Sequence, residues 1–269
     1  PSYVQSDYYY VPTPDGSGKN RFTLEGYRAD MDYYNQRGEY LNGLSNPANW
    51  NTGRLLRWVK EAKAQGYEVM VMTFQIPEWL SAGVVTGTAH TEKVCNGAPK
   101  DWEVYRDIIK KVYLMLKAEG IDSYEFLNEP HWYVPQGGDQ RDPQGNPYPA
   151  GNRQNLIAAD QFYQAIDAIY EAEGGSKPEI KMGGGADDSW GGNYGVLGTI
   201  LSEKYENWFD RIDFISIHKY GERPANQDTG NQGANSRNAK YWLRNKLGRD
   251  VPLYLNEYNV STGQPVNET

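Results

Sequence analysis

Ser123-Tyr124-Glu125-Phe126-Leu127-Asn128-Glu129-Pro130 is the stretch on which the reading of this chain turns. Tyr124, Phe126 and Leu127 supply β-propensity and apolar surface, so the segment reads as a short buried strand. Pro130 has no N–H for a ladder and restricts the backbone of the residue before it, so the strand is expected to stop on Glu129. Far downstream the pattern returns in Val251-Pro252-Leu253-Tyr254-Leu255-Asn256-Glu257-Tyr258-Asn259. Two apolar strands that each end in Asn-Glu predict two carboxylates delivered to the same rim of one sheet.

Outward from these strands, helical and extended patterns alternate. Asn51 or Thr52 caps a helix running to about Gln65, and Glu68–Phe74 follows as a strand. Asp101 opens a helix to Glu119 in which Trp102, Tyr105, Ile108, Ile109, Val112 and Leu116 recur at helical spacing. After the Asn128-Glu129 strand comes a long polar loop over 131–153, then a helix from Gln154 to Glu173 and a strand over Glu179–Gly184. A helix over Val196–Glu206, a strand over Asp213–His218, a helix over Asn235–Leu247 and the strand Val251–Glu257 complete the series. Repeated strand–helix alternation implies parallel strands joined by crossover helices. The expected fold class is α/β, a (β/α)8 TIM barrel, as one catalytic domain over 1–269. With Phe22–Asp32 counted, six strands are found where a closed barrel needs eight, so the barrel is expected to be incomplete in this chain. Residues 1–20, rich in Tyr, Pro and Gly, read as a rim loop or an entry segment; either a short strand hides there or the missing barrel strands lie in a segment outside this chain.

Composition narrows the function. The chain has 269 residues, a net charge of −8 and no clustered basic surface, which argues against a nucleic-acid groove. No run of about 18 apolar residues occurs, so no membrane-spanning helix is expected. The mean hydropathy is −0.80. The 22 Tyr and 8 Trp nonetheless supply large amphipathic rings, which suit sugar faces as well as cores. The lone Cys95 excludes an intrachain disulfide framework and a Cys-rich metal site. The first residue is Pro1 rather than Met, from which an upstream segment and a secreted or periplasmic location are expected.

In a (β/α) barrel every strand opens its carboxyl end on one face, where catalytic residues collect. Glu129 and Glu257 would both sit there, and a pair of carboxylates across a cleft is the apparatus of glycoside hydrolysis. One must stay protonated to donate to the leaving oxygen while the other is ionised to attack the anomeric carbon. Asn128 is placed to hydrogen-bond a sugar 2-hydroxyl. Trp79, which follows the third strand, and Trp132, which follows Glu129-Pro130, are candidate stacking platforms for a carbohydrate. A metal-dependent hydrolase built on His131 and His218 lacks the His-x-His or His-Glu-x-x-His spacing, so no metal and no cofactor are expected. A non-catalytic carbohydrate-binding barrel is the other alternative. The Gly183-Gly184-Gly185 run is not followed by Gly-Lys-Ser/Thr, and reads as a place where the backbone approaches a substrate or a neighbour closely.

Phe126-Leu127-Asn128-Glu129-Pro130, Asp213-Phe214-Ile215-Ser216-Ile217-His218-Lys219-Tyr220 and Leu255-Asn256-Glu257-Tyr258-Asn259 together resemble glycoside hydrolase clan A, the retaining β-glycosidase barrels. The resemblance covers roughly residues 53–260. It implies that Glu129 is the general acid/base and Glu257 the nucleophile, that Tyr220 hydrogen-bonds the nucleophile, and that His218 lines the sugar pocket. Within the clan, the His-x-Tyr and Glu-Tyr-Asn endings are similar to the xylosidase/iduronidase family. The loop lengths and the Tyr and Trp content also resemble the agarase/porphyranase family of marine-galactan hydrolases. Both remain open at this point. The implied partner is a carbohydrate substrate.

Overall fold

The structure, a computed structural model, describes residues 2–4, 10–12, 20–22, 53–73, 76, 80–83, 97–127, 137–185, 196–220, 244–245 and 248–259. Eight strands and four α-helices are seen there. The strands are β1 (Ser2–Val4), β2 (Tyr10–Pro12), β3 (Asn20–Phe22), β4 (Val69–Thr73), β5 (Ser123–Phe126), β6 (Lys181–Gly184), β7 (Phe214–Tyr220) and β8 (Leu253–Asn259). The helices are α1 (Gly53–Ala64), α2 (Trp102–Ala118), α3 (Arg153–Ala172) and α4 (Val196–Lys204), with a short 3-10 turn at Trp208–Arg211.

Six strands form one sheet in the order β1-β4-β5-β6-β7-β8, and every neighbouring pair is parallel. Parallel crossovers are right-handed in nearly all proteins, so an order that never reverses puts every crossover helix on one face of the sheet. The other face must then be buried by curling the sheet on itself, which is a (β/α) barrel.

The side chains agree with this division. Val69, Val71, Tyr124, Phe126, Met182 and Ile215 belong to the core beneath the helices. Within it, rings meet edge to face from Phe126 to Phe162 at 5.4 Å and from Phe162 to Trp208 at 6.2 Å. The alternate strand positions point the other way. Met72, Ser123, Glu125, Phe214 and Ser216 occupy them, and all five are buried. A sheet buried on both faces, with helices over one of them, accounts for strands that read as near-continuous apolar runs.

The interior face also explains the glycine run. Met72 is opposite Glu125, Glu125 opposite Gly183, and Gly183 opposite Phe214, one layer across four strands. A Cβ on Gly183 would collide with the Phe214 carbonyl oxygen and come within 2.8 Å of Cγ of its ring. Gly183 therefore makes room for Phe214, so the close approach expected of this run is to a neighbouring strand.

The helices follow their sequence signals closely. Asp101 caps α2, its carboxylate accepting from the Glu103 N–H at 2.9 Å and the Val104 N–H at 3.1 Å. Behind α1, the Asp122 carboxylate accepts from Lys63 Nζ at 2.8 Å and from the Val69 N–H at 2.7 Å. Burial pushes the Asp122 carboxyl up, but these bonds outweigh it and hold the group below the ordinary aspartate range.

Two expectations are corrected. The strand beside β4 is Ser2–Val4, with Ser2 opposite Val69, so a short strand does lie within residues 1–20 and the rim-loop reading fails for residues 2–4. Phe22, the first residue of the strand expected over 22–32, instead closes a separate antiparallel ribbon with Tyr10; residues 23–32 lie outside the described residues. The helix expected over 235–247 lies largely outside them as well.

Candidate functional site

Because the sheet strands are parallel, the carboxyl ends of β5 and β8 emerge at the same edge of the sheet. The edge is entered in two different ways. On β5 the last ladder residue is Phe126, opposite Thr73 and Gly184. Leu127 then takes a left-handed backbone conformation with φ at 64°. The strand thus ends at Phe126, four residues before Pro130, and a backbone twist at Leu127 follows it directly. Leucine rarely adopts positive φ, and such strain costs about 1–3 kcal/mol, tolerated where the surroundings over-determine it, commonly at ligand and active sites. Phe126, immediately before it, has 1% of its surface exposed and is locked among the rings described above. Replacing Leu127 by Ile, β-branched and poorly suited to positive φ, is expected to cost a further ~1–3 kcal/mol in a urea unfolding titration. An unchanged midpoint would mean the twist is not held in solution.

On the other side of the site, β7 and β8 run beyond their expected ends. β7 extends to Tyr220 and β8 to Asn259. Ile217 is opposite Leu255, but His218 is opposite Glu257, so Asn256 is an extra residue on β8 and the register slips there. Such a bulge re-phases one strand against its neighbour and often lies next to active sites. It brings the backbone of His218 alongside that of Glu257, and the backbone of Tyr220 alongside that of Asn259. Three of the residues singled out in the sequence, His218, Tyr220 and Glu257, are therefore gathered on two paired strands. Asn128, Glu129, Trp79 and Trp132 lie outside the described residues.

Polar groups that the sequence reading passed over sit inside the barrel. Glu125 and Ser216 have no exposed surface. Glu125 looks like an ordinary strand carboxylate in sequence; its place in the sheet puts it on the face opposite the helices, two residues before the twist at Leu127. No signal in the sequence marks the bulge at Asn256. Among the described residues no group of three His, Cys, Asp or Glu could hold a metal ion, and no helix is long and apolar enough to cross a membrane.

The loops that follow β4 and β5 are joined to each other near this edge. Ser81 pairs with Pro99 in an isolated antiparallel bridge, and the Ala98 N–H donates to Gln140 Oε1 at 2.8 Å. Gln161 of α3 donates from Nε2 to the Gly97 carbonyl at 3.1 Å. A depression of about 490 Å³ opens outside this junction, lined by Lys100, Asp101, Trp102, Asp139, Arg141 and Asp142 among others.

No protein-family model matches the chain, and no curated protein matches it in sequence. Solved structures do resemble it in shape. An endoglucanase of Pseudomonas stutzeri in complex with cellobiose superimposes with a TM-score of 0.48 at 17% identity, over 95% of this chain and 73% of the other. A β-glucosidase from Exiguobacterium marinum gives 0.45 at 14% identity, covering 96% and 77%. Fpglu1 from Fervidobacterium pennivoraus gives 0.42 at 12% identity, and this chain spans 62% of its length. All three scores lie below 0.5, and the assignment to the (β/α) barrels rests on the unreversed parallel strand order and the two buried faces of the sheet.

Proposed function

We propose that this protein is a retaining glycoside hydrolase that cleaves β-glycosidic bonds of a poly- or oligosaccharide by double displacement, with Glu257 as nucleophile and Glu129 as acid/base. The observation that supports it most is the parallel strand order, which brings the carboxyl ends of both Asn-Glu strands to one rim of the barrel. In the first step the Glu257 carboxylate attacks the anomeric carbon while the Glu129 carboxyl protonates the departing glycosidic oxygen. The product is an ester between Glu257 and the sugar. In the second, the Glu129 carboxylate takes a proton from a water whose oxygen attacks the same carbon, and the Glu257 carboxylate is released.

On this reading Tyr220 donates a hydrogen bond to the nucleophile and His218 lines the sugar pocket, a role in keeping with the register that sets His218 opposite Glu257. Asn128 holds the sugar 2-hydroxyl, a contact that strengthens in the transition state. Trp79 and Trp132 offer ring faces to neighbouring sugar units. The substrate is a marine galactan such as agarose or porphyran, or a xylan-type glycan, and the enzyme works in a secreted or periplasmic setting. Agar, porphyran, xylan and β-glucan, each assayed for release of reducing ends, test the activity. Azide added to Glu257→Ala with an activated aryl glycoside tests the role of Glu257: rescue as an inverted glycosyl azide is expected, because the small anion enters the space the carboxylate has left. Sugar binding in a calorimeter without release of reducing ends from any of the four would favour a non-catalytic binding barrel.

A further inference from the structure

Asp160, on the second turn of α3, has no exposed surface and belongs to none of the chemistry above. Three donors converge on it from two other segments. Lys204 Nζ lies 2.6 Å from Oδ1 and 2.8 Å from Oδ2, and the Tyr205 hydroxyl donates to Oδ1 at 2.6 Å, both from the carboxyl end of α4. The third is the Tyr148 hydroxyl, which donates to Oδ2 from the loop that follows β5. Burial first, and then the Asp160 charge, push the Tyr148 phenol far above the ordinary tyrosine range, which favours its role as a donor to Asp160.

Tyr148 stands at the base of a small hairpin. Its N–H donates to the Gln140 carbonyl at 2.9 Å, Arg141 pairs with Pro147, and Asp142 closes the turn by accepting from the N–H groups of Gln144 and Asn146. Gln140, the partner at the base, is buried and accepts the Ala98 N–H of the loop that follows β4. Tyr148, Ala98 and Ile157 close a small apolar cluster of their own beneath this junction. One continuous path therefore runs from α4 through the Asp160 carboxylate to the loop after β5, and from there to the loop after β4.

We propose that Asp160 is a positioning residue: through Tyr148 and Gln140 it holds the loops after β4 and β5 together as one preformed wall at the catalytic rim. The charge suits the task. A single ionised carboxylate accepts from three donors at once and its bonds are stronger than neutral ones, whereas an amide in its place offers only one accepting oxygen. The catalytic consequence rests on the glycosidase reading, in which the loop after β5 begins with the acid/base Glu129 and the loop after β4 carries Trp79. Small misplacements of such groups are costly in rate.

Tyr148→Phe and Tyr205→Phe separate this role from general stability, since each removes one hydroxyl from Asp160 but only the first frees a loop. Amide hydrogen exchange is expected to be about tenfold or more faster at positions 98 and 148 in Tyr148→Phe and Asp160→Asn, with α2 unchanged. Tyr205→Phe should leave both positions within about twofold of the parent protein. On whichever of the four polysaccharides the parent protein hydrolyses, Tyr148→Phe should lower kcat by about tenfold or more, with a smaller change in KM, while Tyr205→Phe retains both. Equal deprotection in the two phenylalanine variants would overturn the proposal. So would a Tyr148→Phe protein that exposes positions 98 and 148 yet turns over at the parent rate. If the parent protein hydrolyses none of the four, it is the glycosidase reading that fails, and the exchange at positions 98 and 148 decides the latch alone.

Discussion

Glu257→Gln and Glu129→Gln are each expected to reduce polysaccharide turnover to near the detection limit while the fold persists. The two losses differ in kind. In the proposed double displacement, glutamine at 257 offers no ionised oxygen to the anomeric carbon and the covalent intermediate does not form, so the loss should hold for every substrate. In the same proposed mechanism, glutamine at 129 removes proton donation to the leaving group, a contribution of about 10²–10⁴ in rate. That deficit should shrink for an aryl glycoside whose phenolate leaves without a proton. Parallel kinetics on the polysaccharide and on such a glycoside, with circular dichroism to establish folding, distinguish the two. Either variant turning over like the parent protein removes that residue from the mechanism. Glutamine matches glutamate in size, and neither position belongs to the interior layer of Met72, Glu125, Gly183 and Phe214, so the fold is expected to survive either change.

Phe162→Ala is the substitution expected to damage the scaffold most, by about 3–5 kcal/mol. Phe162 has 2% of its surface exposed at the middle of α3 and touches both Phe126 on β5 and Trp208 in the 3-10 turn, edge to face in each case. Truncation leaves a cavity where two elements meet, and rigid rings on either side cannot collapse into it. A urea titration followed by tryptophan fluorescence reads the shift, with Trp208 beside the cavity as a local reporter. Because Phe126 immediately precedes the strained Leu127, the same variant should loosen the start of the loop after β5. A change below about 1 kcal/mol would mean that the helix layer packs differently against β5 in solution.

The elements that sequence alone made legible are those whose signals are local. Asp101 at the start of a helical repeat of Trp102, Tyr105, Ile108, Ile109 and Val112 announces α2, and the structure begins that helix at Trp102. The apolar runs within Glu68–Phe74 and Asp213–His218 announce buried strands, because a strand covered on both faces has no reason to alternate. Alternation of such runs with helices leads to parallel pairing and to one edge for the carboxyl ends of β5 and β8, since a crossover helix returns the chain to the same starting edge.

Tertiary structure decided what depends on partners distant along the chain. The strand count leaves room for a short strand within residues 1–20, but its place at Ser2–Val4 is set by the edge that Val69–Val71 offers. Leucine at 127 favours helix or strand by itself. It is turned to positive φ at a position flanked by Phe126, locked in the ring stack, and by the chain leaving the sheet. The bulge at Asn256 arises from the register of β8 against β7, which no single strand encodes. Asp160 and Glu125 read as ordinary polar residues of a helix and a strand. Their burial follows only when Lys204, Tyr205 and Tyr148 close over the first, and the inner face of the sheet is covered around the second. Periodicity and capping act over a few residues and are written in the sequence, whereas strain, register and buried charge are set by groups that meet only once the barrel has formed.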